Sequence, residues 1–113
     1  MSARKPSQSK IDKSVKRINE MEPLLNECQE VLSDLDTQLD RMEDVRKGMI
    51  KLFSYYGSSA WRSDLELDEQ GLLPKDLQRG VLSEDLVYDQ IVSARDTAYR
   101  MLELAADILK NRI

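Results

Sequence analysis

The sequence contains no histidine, and Cys28 is the single cysteine among its 113 residues. Without histidine there is no Ser-His-Asp or Cys-His relay, no imidazole general base and no imidazole metal ligand. One cysteine excludes an intramolecular disulfide and a cluster of thiolate ligands, and it is typical of a reducing compartment such as the cytoplasm. We therefore expect no cofactor, no bound metal and no enzymatic activity.

The sequence also has few aromatic residues (5%), four glycines and three prolines. Sandwiches and barrels need aromatic or β-branched strands and many turns, and dinucleotide-binding folds need glycine-rich turns, so both classes are disfavoured. No apolar run approaches the ~20 residues of a membrane span, and the first residues lack the apolar region of a signal peptide. A charged fraction of 34% and a hydrophobic fraction of 41% instead predict a single all-α domain.

A helical period begins at Ile11. Assigned to heptads, the a positions are Ile11, Ile18, Leu25, Leu32, Leu39, Arg46 and Phe53, and the d positions are Met21, Cys28, Leu35, Met42, Met49 and Tyr56. Further apolar residues at g widen this face: Leu24, Val31, Val45 and Leu52. The pattern predicts a long helix over residues 11–56, with a face as broad as that of a bundle helix.

A second long helix is predicted over residues 84–112, after a connector that we define as residues 58–82. Ser83 is placed to cap this helix, with Leu82 and Val87 at the positions of a hydrophobic staple. Within the connector we predict a short helix from about Ser59 to Asp68, ended by Gly71, and one turn between Pro74 and Gly80. The chain is then a long antiparallel helical hairpin, or a three-helix bundle, with the connector capping one end.

The two long helices are unequal. At 1.5 Å per residue, helices over 11–56 and 84–112 measure about 69 Å and about 43 Å. In a hairpin, the first apolar residues of the longer helix then lack a partner: Ile11, Val15, Ile18, Met21 and Leu25. Either the chain breaks at Pro23 and folds back as a third helix, or the excess length packs against a second chain. We expect self-association as a dimer, or binding to a protein partner, through this N-terminal part.

The charge is unevenly distributed, although the net charge is only −4. Residues 1–22 have a net charge of +3, and residues 23–85 carry the acidic excess. We predict a disordered basic arm over residues 1–10. Such an arm can contact nucleic acid, but its cations have no interleaved aromatic residues on which bases could stack, so nucleic-acid binding is disfavoured.

The connector and its flanks carry a distinctive string of residues: Tyr55-Tyr56-Gly57-Ser58, Trp61, Asp64, the run LPKDLQRGVLSED, and Tyr88-Asp89. This string resembles that of a family of small bacterial proteins, chiefly from Gram-positive lineages, known as a domain of unknown function. The resemblance covers about Arg17 to Leu109. It implies a compact helical domain whose most distinctive part is the connector, and it implies no activity.

The same segment supplies the candidate binding surface: Tyr55, Tyr56, Trp61, Asp64, Asp76, Arg79, Tyr88 and Asp89. Apolar walls with a few polar groups are typical of ligand pockets. Each of these residues also has a structural interpretation, with Trp61 closing the end of the hairpin and Arg79 paired with an acid. The sequence thus favours a non-enzymatic interaction or structural module over the alternatives, a ligand-binding or enzymatic connector and a nucleic-acid-binding arm.

Overall fold

The computed structural model describes residues 5–111, and this part of the chain is helical, without strands. Helix α1 spans Gln8–Tyr55, α2 spans Ser59–Glu69, a 3-10 turn spans Gly80–Leu82, and α3 spans Leu86–Lys110. The predicted all-α class, with a long helix, a short-helix connector and a second long helix, is confirmed. The predictions for residues 1–4 and for Arg112 lie outside the described residues.

Helix α1 begins at Gln8, three residues before the predicted start. Ser7 explains the difference, because its Oγ accepts a hydrogen bond from the Lys10 amide at 3.2 Å and satisfies one of the first free amides of the helix. Residues 8–10 of the predicted arm are therefore helical. Pro23 lies inside α1, and the chain continues as a helix on both sides of it. The alternative in which the chain folds back at Pro23 is thus not the one observed.

The chain divides into two units, Met1–Val45 and Arg46–Ile113. In the first unit, the described residues of α1 bury no side chain. Its apolar residues are 39–57% exposed, as expected for side chains covered only by the neighbouring turns of their own helix. We call these residues the N-terminal stripe: Ile11, Val15, Ile18, Met21, Leu24, Leu25, Val31, Leu32, Leu35, Leu39, Met42 and Val45.

The second unit contains the buried residues of the described chain, which are Trp61, Leu82 and Val87. They come from α2, the 3-10 turn and the first turn of α3, so the core of this unit lies around the connector. The 3-10 turn packs against both α2 and α3. Further along α3 the apolar side chains are largely exposed, including Leu102 at 67% and Leu109 at 80%.

Two glycines shape the path of the connector. Gly57 and Gly71 have φ values of 75° and 70°, in the left-handed region that residues with a Cβ rarely adopt. At the end of α2, the Leu72 amide donates to the Leu67 carbonyl and the Gly71 amide to the Asp68 carbonyl. This is the Schellman pattern, which ends a helix by satisfying its last carbonyls. Among the described residues, no helix has both the length and the apolarity needed to cross a membrane.

Candidate functional site

Trp61 is the central side chain of the candidate surface. Ser58 precedes α2 in an extended conformation, and its Oγ accepts a hydrogen bond from the Trp61 amide at 3.2 Å, which fixes the first turn of the helix. The indole is buried, with 9% exposure, and its Nε1 donates to the Val81 carbonyl at 2.8 Å. Trp61 therefore joins α2 to the 3-10 turn, twenty residues further along the chain, through both apolar burial and a directed hydrogen bond.

Tyr56 lies beside Trp61 at the point where α1 ends. The two ring centroids are 5.2 Å apart with an interplanar angle of 43°, within the range for favourable aromatic pairs. The Tyr56 hydroxyl donates to the Glu84 carbonyl at 2.8 Å. This residue thus ties the end of α1 to the segment that leads into α3.

Tyr55 contacts a different element, α2. Its hydroxyl donates to Oδ2 of Asp64 at 2.6 Å, a short distance typical of a donor bonded to a carboxylate. The hydrogen bond to Asp64, reinforced by partial desolvation and by the negative charge of that carboxylate, raises the pKa of Tyr55 to about 12. The phenol therefore stays protonated at neutral pH and holds α2 against the end of α1.

Arg79 organises the irregular half of the connector. Its guanidinium Nη1 lies 2.5 Å from Oδ1 of Asp68 in a salt bridge, and Nη2 donates to the Pro74 carbonyl at 2.6 Å. Its Nε donates to the Leu77 carbonyl at 3.3 Å. One planar group with several donors thus fixes α2 and two carbonyls of the following turn, which the single ammonium group of a lysine would do less well.

Ser83 lies just before α3, but the helix begins at Leu86 and its N-cap position is Asp85, two residues after the predicted cap. The Ser83 Oγ accepts hydrogen bonds from the amides of Asp85 and Leu86 at 3.3 and 3.4 Å. Leu82 and Val87, the predicted staple pair, are both buried. The hydrogen bonds to Ser83 and the burial of Leu82 and Val87 therefore fix the direction in which the chain enters α3.

The candidate residues do not all enter this network. Asp76, Tyr88 and Asp89 are exposed, and Tyr88 has 55% of its surface accessible. The other five, Tyr55, Tyr56, Trp61, Asp64 and Arg79, make the hydrogen bonds given above. Their polar atoms are directed at other atoms of the connector and its flanks, so the observed arrangement serves the fold and leaves few of them available to a ligand.

The acidic residues of α2 suggest a cation site, since Asp64 and Asp68 lie one helical turn apart. Both carboxylates already have partners, because Asp64 accepts from the Tyr55 hydroxyl and Asp68 pairs with Arg79. Within residues 5–111, no group of three or more potential metal ligands comes together. The structure therefore provides no geometry on which a metal site could be argued.

A surface cavity of about 340 Å³ lies on α3, away from the connector residues. Its lining side chains all belong to this helix: Thr97, Arg100, Met101, Glu103, Leu104 and Asp107. A depression formed by one helix has no opposing wall, whereas small-molecule sites enclose most of the ligand surface. This cavity does not support a ligand site.

The sequence did not reveal the backbone acceptors of these hydrogen bonds. The carbonyls of Val81, Glu84 and Pro74 bind Trp61, Tyr56 and Arg79 respectively. A carbonyl is present at every residue, so no residue type marks these positions. Only the side-chain donors could be recognised from the sequence, because a tryptophan, a tyrosine and an arginine lie close together in one segment.

A protein-family model described as a domain of unknown function, DUF4298, matches residues 18–104. The match covers more than half of the chain and includes the whole connector, so the chain belongs to this family and the resemblance seen in its sequence is confirmed. No curated protein and no solved structure matched the chain.

Proposed function

We propose that this member of the DUF4298 family is a non-enzymatic protein-interaction module that associates with a second copy of itself through the N-terminal stripe of α1. The observation that carries the proposal is the exposure of that stripe. Twelve large apolar side chains recur with a helical period over residues 11–45, and each is 39–57% exposed. Monomeric proteins rarely expose a continuous apolar surface of this extent.

The energetics support a helical partner. Covering the remaining exposed surface of one such side chain contributes on the order of 1 kcal/mol, so a dozen on each chain offset the ~4–15 kcal/mol that association costs. An isolated helix gains little stability from its own hydrogen bonds, and most helices in proteins depend on packing of their apolar face. Pairing would therefore stabilise α1 as well as bring two chains together.

The residue types also support this proposal over catalysis. There is no histidine in the chain. Tyr55 is a poor nucleophile because its raised pKa leaves less of the reactive phenolate.

The thiol of Cys28 lies exposed on the same face as the stripe, and such a thiol persists in a reducing compartment. We accordingly place the module in the cytoplasm.

Size-exclusion chromatography with light scattering tests the proposal. We expect the wild-type chain to show twice its 13.0 kDa mass, with dissociation on dilution. Leu32→Asp places a charge in the middle of the stripe and should weaken association by at least about 100-fold, since a buried unpaired carboxylate costs several kcal/mol. Leu72→Asp is the matched control, because Leu72 is 66% exposed and lies in the connector.

Two results would contradict the proposal. One is a mass of 13.0 kDa at every concentration of the wild-type chain. The other is equal weakening of the dimer by Leu32→Asp and Leu72→Asp, which would place the contact outside the N-terminal stripe.

A further inference from the structure

We propose that the two copies pair in antiparallel orientation, with Leu25 of each chain facing Cys28 of the other near a central two-fold axis. This inference rests on the self-association proposed above and specifies its geometry. Two features of α1 support it: the spacing of the a and d residues and the distribution of charge along the helix.

The spacing sets the register. In an antiparallel pair of helices, an a residue of one chain packs in the same layer as a d residue of the other. Layers of Ile11 with Met42, Ile18 with Leu35, and Leu25 with Cys28 then repeat symmetrically about the centre. Between these layers Met21 faces Leu32, and Leu39 faces Ser14. A slip by one heptad in either direction leaves Ile11 or Met42, the first and last apolar a and d residues of the N-terminal stripe, opposite a position outside the stripe. This register therefore pairs the two ends of the a and d positions of the stripe.

The charge distribution favours the antiparallel orientation. Residues 10–17 have a net charge of +3, and residues 34–44 have a net charge of −4. In the proposed register these two segments lie side by side at both ends of the pair. A parallel pair would instead align the acidic segments of the two chains. Their separation would be comparable with the ~8 Å screening length at physiological salt, so the carboxylates would still repel each other.

The residues at g make contacts in either orientation. In antiparallel pairs the g positions of the two chains flank each other, so Leu24 of each chain lies next to Val31 of the other on one side of the central layers. Both are about half exposed in the single chain, at 55%. In a parallel pair g flanks e, which would place Leu24 beside Gln29 and Val31 beside Asp36.

Two contacts favour the parallel orientation, because Arg17 at g would then flank Glu22 at e, and Val45 at g would flank Ile50 at e. An exposed ion pair of this kind contributes about 0–1 kcal/mol. Burial of Leu24 and Val31 against each other occurs twice in the antiparallel pair, and each side chain contributes on the order of 1 kcal/mol. The contacts of the parallel pair would also occur twice, and that of Val45 with Ile50 offsets that of Leu24 with Val31. The distribution of charge along α1 therefore decides the orientation.

Disulfide trapping tests the orientation. In a Cys28→Ser background, one chain carries Ile18→Cys and a second carries Leu35→Cys, and each is oxidised alone and after the two are mixed and allowed to exchange. Equivalent positions 18 and 18, or 35 and 35, are about 25 Å apart along the antiparallel pair. A disulfide requires Cα atoms within about 7 Å. Positions 18 and 35 share a layer, so we expect a covalent dimer on a non-reducing gel only in the mixture.

Light scattering on each variant at the same concentration separates the two proposals. A covalent dimer from either chain alone indicates a parallel pair and overturns the orientation, while self-association stands. Failure to cross-link in the mixture, although light scattering reports dimers, overturns the register. A monomeric wild-type chain overturns the proposed function, and the orientation with it.

Discussion

The N-terminal stripe and the connector differ in how their apolar side chains are used. The stripe has twelve regularly spaced apolar residues and buries none of them within the chain. The connector has irregular spacing, yet Trp61 and Leu82 are buried and its polar side chains bind one another or backbone carbonyls. Periodic patterning provides a surface that a second helix can cover, whereas a unique local structure depends on a few directed hydrogen bonds around one large side chain.

Substitution of Trp61 is expected to have the largest effect on the connector. Trp61→Ala removes the buried indole and its hydrogen bond to Val81, so unfolding of the connector should become easier by about 3–5 kcal/mol. Trp61→Phe keeps an apolar ring and loses the hydrogen bond, at a cost of about 1–2 kcal/mol. Urea unfolding followed by circular dichroism measures both values.

Trp61→Phe also tests whether the N-terminal stripe and the connector act separately. If the stripe and the connector act separately, the dissociation constant of the dimer should change less than about threefold in Trp61→Phe. A tenfold loss of association in this variant, at a concentration where it remains folded, would indicate that the connector takes part in the interface.

Arg79 is expected to have a smaller effect. Arg79→Ala removes the salt bridge to Asp68 and the hydrogen bonds to the carbonyls of Pro74 and Leu77. Because the Arg79 side chain is 38% exposed, we expect a loss of only about 1–2 kcal/mol in unfolding free energy. Arg79→Lys retains the charge but not the planar set of donors, so it should recover less than half of that loss. Full recovery by lysine would show that charge alone matters.

The smallest expected effect is the pH dependence contributed by Tyr55. Its pKa rises from 10.0 to about 12 in the folded chain, so the protonated phenol is the form that the fold favours. Its stabilising contribution is therefore complete below the unfolded pKa and is lost as the pH rises from 10.0 through about 12. The difference in urea midpoint between wild type and Tyr55→Phe should shrink over that range, whereas a constant difference would contradict the hydrogen bond to Asp64.

The elements that the sequence predicts well are those with a strong local cause. Heptad spacing predicts α1, and the positive φ of Gly71 ends α2 close to the predicted Asp68. Ser83 was expected to cap α3, and its Oγ does accept from the amides of Asp85 and Leu86, but the N-cap position is Asp85 because the helix begins two residues later than predicted. These features depend on residues within a few positions of each other.

Contacts between distant residues were harder to predict. The sequence singles out Trp61 and Arg79, but it does not indicate that Val81 and Pro74 supply their acceptors, since the acceptors are backbone atoms. It also grouped Asp76, Tyr88 and Asp89 with the other candidates because they are close in the chain, whereas the structure leaves these three exposed. Tyr88 and Asp89 directly follow the buried Val87 on α3, so neighbours in sequence differ in burial because a helix turns successive side chains in different directions.

Amide hydrogen exchange at several protein concentrations is the most direct test of pairing through the N-terminal stripe, because it reports on both regions in one sample. Exposed helices with few tertiary contacts open at low free-energy cost, and binding of a partner raises that cost. We predict that protection of the amides in residues 11–45 increases with concentration in step with dimer formation, while protection around Trp61 and Leu82 stays constant. Strong protection of residues 11–45 that is independent of concentration, in a sample that light scattering identifies as monomeric, would contradict stabilisation of α1 by pairing.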